Sequence, residues 1–434
     1  MRTLLAAAAI AHLGCSPGEV QRAVADDVPA PTDLPGITDV VAPQDVLRTD
    51  VPSLADAGAA DIVEPPPPGR VGRVAREGDA TVLRTHPTVN YRFVDAAYDP
   101  ARRVFLVVYG NGPVGGAFLD DEGVQVGDGF RLPDEPMVEG RWSQLPRVAA
   151  GPAGFVVTWH AEVARAVVPQ VRRVLPGPVF GGPTVALGDP GANQESPVAL
   201  AYNPEGEGFL AVWAQSGLKG RRVSREGAPQ GAVLTLSTPG VWVEQPAVTW
   251  HPGARAYFIT YMQERDGAAE VMLLRVGPEG APLGEARSLS GPLSFAKVTD
   301  VALDARSGEV IASWYAVSGG TRGFVAQRVR GDGQPIETPR AVFAPHGSYD
   351  GYDTAWSPFT GTLFATFHGA GAEAAGAELD GDWREGAAFE VTAVAPRNGV
   401  FLPRVVAHPA RPWWIVLGSP DYARVVAQRV SRAP

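Results

Sequence analysis

Nine residues of this chain have types and spacing suited to holding a polar ligand: Trp142, Gln144, Asn193, Glu195, Trp242, Glu244, Tyr349, Asp350 and Arg397. They come from the segments RWSQLP, NQESP, VWVEQP, SYDGYD and RNGVFLP, with SFAKV in the corresponding place of a sixth; each segment leads into an apolar run. Aromatic rings offer flat apolar faces, and the amides, carboxylates and guanidinium beside them add directional hydrogen bonds. That combination suits a sugar or a polar peptide. Ordinary surface loops of a structural module have a similar composition, so residue types alone leave both readings open.

Residues for covalent or metal chemistry are harder to find. The sequence has no GxSxG elbow, HExxH, P-loop or CxxC pair. DGDWRE, Asp380 to Glu385, comes nearest to a calcium loop, but its acids are wrongly spaced. No catalytic residue, metal site or cofactor is therefore expected. Of the seven histidines, His251 and His408 precede prolines and read as exposed turn residues. His160 and His368 each follow an aromatic at equivalent places and read as solvated loop residues, too far apart in the repeat to form a pair. A hydrolase or lyase would need carboxylates converging on one substrate atom, and Glu195, Glu244 and Asp350 are the acids to watch.

The elements that must position these residues form a repeat. Its clearest copy runs from Pro197 to Ser237, where PVALAY, FLAVW, GRRVS and AVLTLS read as four short strands separated by turns. A turn stop closes the first strand at Pro100, Pro152, Pro204, Pro252, Ala305, Pro358 and Pro409, in steps of 48 to 53 residues. A proline there cannot donate to a sheet ladder. A bulky residue closes the second strand of each copy: Tyr109, Trp159, Trp213, Tyr261, Trp314, Phe367 and Leu417. Gly-containing turns at Glu122-Gly123, Glu226-Gly227, Glu279-Gly280 and Asp332-Gly333 then separate the third and fourth strands.

Four strands per unit at this period predict an all-β fold, a single β-propeller of seven four-stranded blades. The marker aromatics are expected between blades, because a small sheet with two apolar faces cannot cover both alone. The seventh copy, from Pro403, stops after its third strand. RVAREGDATVLRT, Arg73 to Thr85, matches the missing part, so residues near Thr81 to Arg84 are expected to complete the last blade. REG, PEG and GDG occupy turns where sialidase-type propellers carry Asp boxes, without the flanking residues of that motif, and give no support to a sialidase.

Composition agrees. The 434 residues are 45% hydrophobic and 19% charged, with 51 glycines and 41 prolines, as a large core with many tight turns requires. Only Lys219 and Lys297 are lysines among 37 basic residues, a bias typical of a GC-rich genome. The net charge of −10 lies largely in residues 16–69, and no basic stripe exists to meet nucleic acid.

Residues 16–69 are rich in Pro, Asp, Val and Ala and poor in aromatics, and read as a disordered tether. Residues 1–15, MRTLLAAAAIAHLGC, have a basic start, an apolar stretch and Leu13-Gly14-Cys15, and read as a cleaved export signal. This segment resembles a bacterial lipoprotein signal, departing from that pattern at His12. The resemblance implies lipid attachment at Cys15, the only cysteine, and Ser16 after it is compatible with the outer membrane of a Gram-negative cell. The repeats of residues 70–434 resemble propeller-like repeats of secreted or lipid-anchored proteins from myxobacterium-like bacteria, which implies a surface location.

The sequence thus predicts an exported, lipid-anchored monomer that binds protein or carbohydrate at the cell surface without catalysis. It would touch membrane only through its anchor. The alternatives are a polysaccharide hydrolase or lyase at the channel mouth and a structural envelope protein. Replacing Cys15 with Ser is expected to abolish incorporation of labelled palmitate in the producing cell; label retained by that variant would refute the anchor.

Overall fold

A computed structural model describes residues 73–85, 93–110, 114–132, 144–163, 166–177, 179–192, 196–318, 321–342, 352–368, 374–391, 403–419 and 424–432. All lie in the compact unit Glu64–Pro434. Two short strands, β1 (Val74–Arg76) and β2 (Thr81–Thr85), come first. Blade 1 holds β3 (Phe93–Asp99), β4 (Val104–Gly110), β5 (Gly115–Asp120) and β6 (Gln125–Arg131). Blade 2 holds β7 (Gln144–Gly151), β8 (Gly154–Val163), β9 (Ala166–Leu175) and β10 (Val179–Ala186). Blade 3 holds β11 (Ala199–Asn203), β12 (Gly208–Ala214), β13 (Leu218–Ser224) and β14 (Pro229–Thr235). Blade 4 holds β15 (Trp242–His251), β16 (Ala256–Arg265), β17 (Ala268–Val276) and β18 (Arg287–Ser288). Blade 5 holds β19 (Phe295–Asp304), β20 (Glu309–Ser318), β21 (Thr321–Val329) and β22 (Arg340–Val342). Blade 6 holds β23 (Asp353–Ser357), β24 (Thr362–His368), β25 (Ala374–Leu379) and β26 (Phe389–Glu390). Blade 7 holds β27 (Arg404–Ala407), β28 (Trp413–Gly418) and β29 (Arg424–Arg432).

Each blade is an antiparallel meander, and its first strand packs on the first strand of the next, with β27 returning to β3. The fold is therefore a seven-bladed β-propeller whose innermost strands surround a central axis. The second strands are buried along nearly their whole length, because each faces a neighbouring blade on both sides. Seven apolar clusters result, one in each gap between blades. The marker residues Tyr109, Trp159, Trp213, Tyr261, Trp314, Phe367 and Leu417 are all buried there, as the repeat predicts.

The turn stops have a local cause. In most copies the side chain just before the stop accepts backbone N–H groups of the turn that follows: Asp99 from Ala101 (3.0 Å), Asn203 from Glu205 (2.9 Å) and Asp304 from Arg306 (2.9 Å); Gly151, before Pro152, has no side chain to do so. His251 and His408 do the same through Nδ1, from Ala254 (3.0 Å) and Ala410 (3.1 Å). Both histidines are buried, contrary to the exposed turn positions expected of them. Capping holds each ring inward, where Nε2 reaches the next blade, at Gly308 O (2.8 Å) and at Asp121 (3.1 Å). Gly123, Gly227, Gly280 and Gly333 take φ values of 80° to 91° in the turns between third and fourth strands, a region that disfavours a Cβ.

Ring closure follows the expected route with one addition. β2 pairs with β29, from Thr81 opposite Ala427 to Thr85 opposite Arg424, and Leu83 is buried in the cluster between blades 7 and 1. β1 also pairs with β29, Val74 opposite Arg432, which the sequence match did not anticipate. β29 has nine residues and β2 only five, so a second segment covers the remaining edge. Gln428 fastens the two together by donating to Glu77 O (2.9 Å).

A polar network spans the same seam. Against the cost of burial, hydrogen bonds from Arg103, Tyr98 and His408, with the charge of Arg411, hold the Asp121 carboxyl below the usual carboxylate range. Deleting residues 73–85 would bare the β29 edge and remove Leu83 from the core. The melting temperature is expected to fall by at least about 5 °C; an unchanged melt by circular dichroism would contradict closure by these strands.

Candidate functional site

The innermost strands place one residue from each blade around the axis, five positions before the turn stop: Asp95, Arg147, Ala199, Ala247, Asp300, Asp353 and Arg404. All seven line one cavity of about 180 Å³. Three carboxyls and two guanidiniums thus share the axial channel. Each carboxyl also binds the next blade: Asp95 accepts from Val148 N (2.9 Å), Asp353 from Val405 N (2.8 Å) and from Arg404, and Asp300 from the Thr354 hydroxyl.

Burial sets their ionisation. It pushes Asp95 up to about 6, against the charge of Arg147 and the N–H groups of Val148 and Ala96. Asp300 is raised by burial, with the Thr354 hydroxyl opposing. Asp353 lies well above its usual range because it is buried and faces the charge of Asp300.

The rim at the leading end of these strands is shaped by bulges. Register shifts fall between Gln144 and Arg147, Glu244 and Ala247, and Lys297 and Asp300, the same place in blades 2, 4 and 5. Leu145 and Gln245, each before a proline, take φ of 54° and 52°, sparsely populated for residues with a Cβ. The rim is tied around the ring: Gln245 N donates to the Ser196 hydroxyl (3.0 Å), and the Thr299 hydroxyl donates to Gln245 O. Outside this belt Trp242 stands 54% exposed, and its indole N–H donates to Glu244 Oε1 (3.1 Å). Lys297 Nζ lies 4.0 Å from Glu244 Oε2 and over the Phe295 ring.

Of the nine sequence candidates, Trp242 and Glu244 meet in β15, on strand rather than loop; Glu244 is buried and accepts from the Trp242 indole. Gln144 begins β7, its backbone opposite His160. Trp142, Asn193, Glu195, Tyr349, Asp350 and Arg397 lie outside the described residues, as do residues 1–72 with Cys15. His160, expected in solvent, is 1% exposed in β8, and burial lowers its pKa to about 3, so it stays neutral. Its strand is covered on both faces by neighbouring blades. His368 ends β24. The axial charges were missed, although a signal existed: a charged residue interrupts the apolar first strand at one fixed distance from the turn in five of the seven copies.

No protein-family model matches the chain, and no curated protein matches it. Among solved structures it is similar to the BP39L lectin of Burkholderia pseudomallei, at 14% identity and a TM-score of 0.58, covering 80% of this chain and 97% of the lectin. It also matches the GH43 endo-arabinanase of Bacillus licheniformis, at 11% identity and a TM-score of 0.36, covering 59% of this chain and all of the other. At 14% identity the likeness to the lectin supports the propeller architecture and nothing finer.

The raised Asp95 carboxyl has a thermodynamic consequence. Its folded value exceeds the unfolded value near 3.8, so the fold holds this proton more tightly. That contribution is present below about pH 4 and is lost as pH rises through 6. Replacing Asp95 with Asn, which keeps an acceptor for Val148 N, removes it. The melting temperature of the variant relative to wild type is expected to rise between pH 4 and pH 7; a constant difference would contradict the assignment.

Proposed function

We propose that this is a non-enzymatic propeller that binds carbohydrate at the rim of its central channel, on an exported protein anchored to the cell envelope through Cys15. The observation that carries the reading is Trp242: a large aromatic face left in solvent, its indole held by a buried carboxylate. Aromatic residues are usually buried, and one held exposed beside directional polar groups suits stacking on a sugar ring. Similarity in fold to a lectin is compatible with this use.

A polysaccharide hydrolase or lyase is the second reading, favoured by Asp95, whose carboxyl burial pushes up to about 6, toward the range in which an acid can donate a proton near neutral pH. Against it, Glu244 is committed to Trp242 and faces Lys297, and Asp353 is committed to Arg404 and Val405 N.

The test is a glycan array probed with the full-length protein. At least one oligosaccharide is expected to be retained, and Trp242→Ala to weaken its binding by about tenfold or more, roughly 1.4 kcal/mol. The melting temperature should fall by no more than a few degrees, since the side chain is exposed and Lys297 stays beside Glu244 once its indole donor is lost. No retained glycan, or equal retention by the variant, would overturn the proposal; release of new reducing ends during incubation would favour the hydrolase.

A further inference from the structure

The geometry points to a second, deeper subsite: we infer that the axial cavity receives one neutral, polyhydroxylated unit, the terminal sugar of a chain, hydrogen-bonded by Arg147 beside Asp95. The inference rests on the carbohydrate reading above and adds to it where the chain end sits.

Size is the first argument. A cavity of about 180 Å³ greatly exceeds the ~10–15 Å³ that one water needs, and falls short of the ~300–1,000 Å³ of pockets for drug-sized ligands. It suits several waters or one compact polyol. Its place is the second argument. Gln245, Pro246 and Ala247 line the cavity on the same strand that carries Trp242, three to five positions further along, past the bulge. A chain end in the cavity would leave its following units near that ring.

Charge selects the ligand. A cation in the cavity meets Arg147 and Arg404, and an anion meets Asp95, Asp300 and Asp353. Either would enter a half-buried site against like charge. Among the described residues no group of three His, Cys, Asp or Glu is arranged to hold a metal ion. A neutral ligand that both donates and accepts meets no such opposition.

Arg147 is the residue with capacity to spare. Arg404 is paired with Asp353, whereas Arg147 makes no ion pair with a described residue and donates only to Pro146 O at 3.5 Å. Its planar fork carries five donors and matches neighbouring oxygen atoms in pairs. Asp95, close enough to feel its charge, is turned to Val148 N rather than to Arg147. Donor and acceptor thus stand side by side at the axis.

The experiment titrates the full-length protein with D-glucose, D-galactose, D-mannose, L-arabinose and myo-inositol, and separately with sodium sulfate, by ligand-observed NMR and calorimetry. At least one neutral compound is expected to bind with Kd near 1 mM. Arg147→Gln should weaken it at least tenfold with the melting temperature nearly unchanged. If Arg147→Gln fails to fold, Arg147→Lys, which keeps the charge and loses the fork, should weaken binding in the same way. The proposal is overturned if no neutral compound binds, if binding survives at Arg147→Gln, or if sulfate binds in their place. Oligosaccharide retention that depends on Trp242 but not on Arg147 would sink the channel and spare the rim. Monosaccharide binding that depends on Arg147, without retention on the array, would sink the rim and spare the channel.

Discussion

The second strand of every blade is apolar on both faces, and this one constraint forces the ring. A meander such as β11 to β14 can cover neither side of FLAVW by itself, so each sheet completes its core only against two neighbours. Burial between copies is stabilising in proportion to the apolar area removed from water, and a cycle is the arrangement that leaves no copy half covered. Trp159, Trp213 and Trp314 fill these gaps and are essentially inaccessible. The seam between the last and first blades must be as complete as the others, and two N-terminal strands on β29 supply what the C-terminus lacks.

Closure creates a second problem at the axis, where seven strands converge and backbone N–H groups turn inward. The described residues meet it with polar clips from one blade to the next, Asp95 to Val148 and Asp353 to Val405. A carboxylate accepting a backbone N–H offsets part of its desolvation cost, yet Asp95 and Asp353 remain harder to ionise than in water. The same clips hold the channel lining in fixed positions, and the bulges at Leu145 and Gln245 re-aim the strands just before they enter it. Rigid strands around a polar channel are a good platform for recognition, because little order remains to be imposed on binding.

Much of this could be read from residue order. The spacing of turn stops and second-strand aromatics specifies strand count, blade count and the buried side of each aromatic, since period and apolar run length follow from local stereochemistry. The need for an N-terminal strand was legible as a missing fourth run after RVVAQRVSRAP. The pairing of Trp242 with Glu244 was partly legible, as two candidate residues two apart on one strand face.

Other features were not. His251, His408 and His160 looked like surface residues because one sequence shows a neighbour along the chain and not the blade that packs across it. The axial charges are scattered at intervals of about fifty residues, and only ring closure makes Asp95, Arg147, Asp300, Asp353 and Arg404 neighbours. Local sequence determined the repeat, its strands and its turns, because those depend on interactions within a few residues. The channel, its charge balance and the shifted ionisation of its carboxyls were decided by tertiary structure, because burial and Coulomb interaction depend on distance through space.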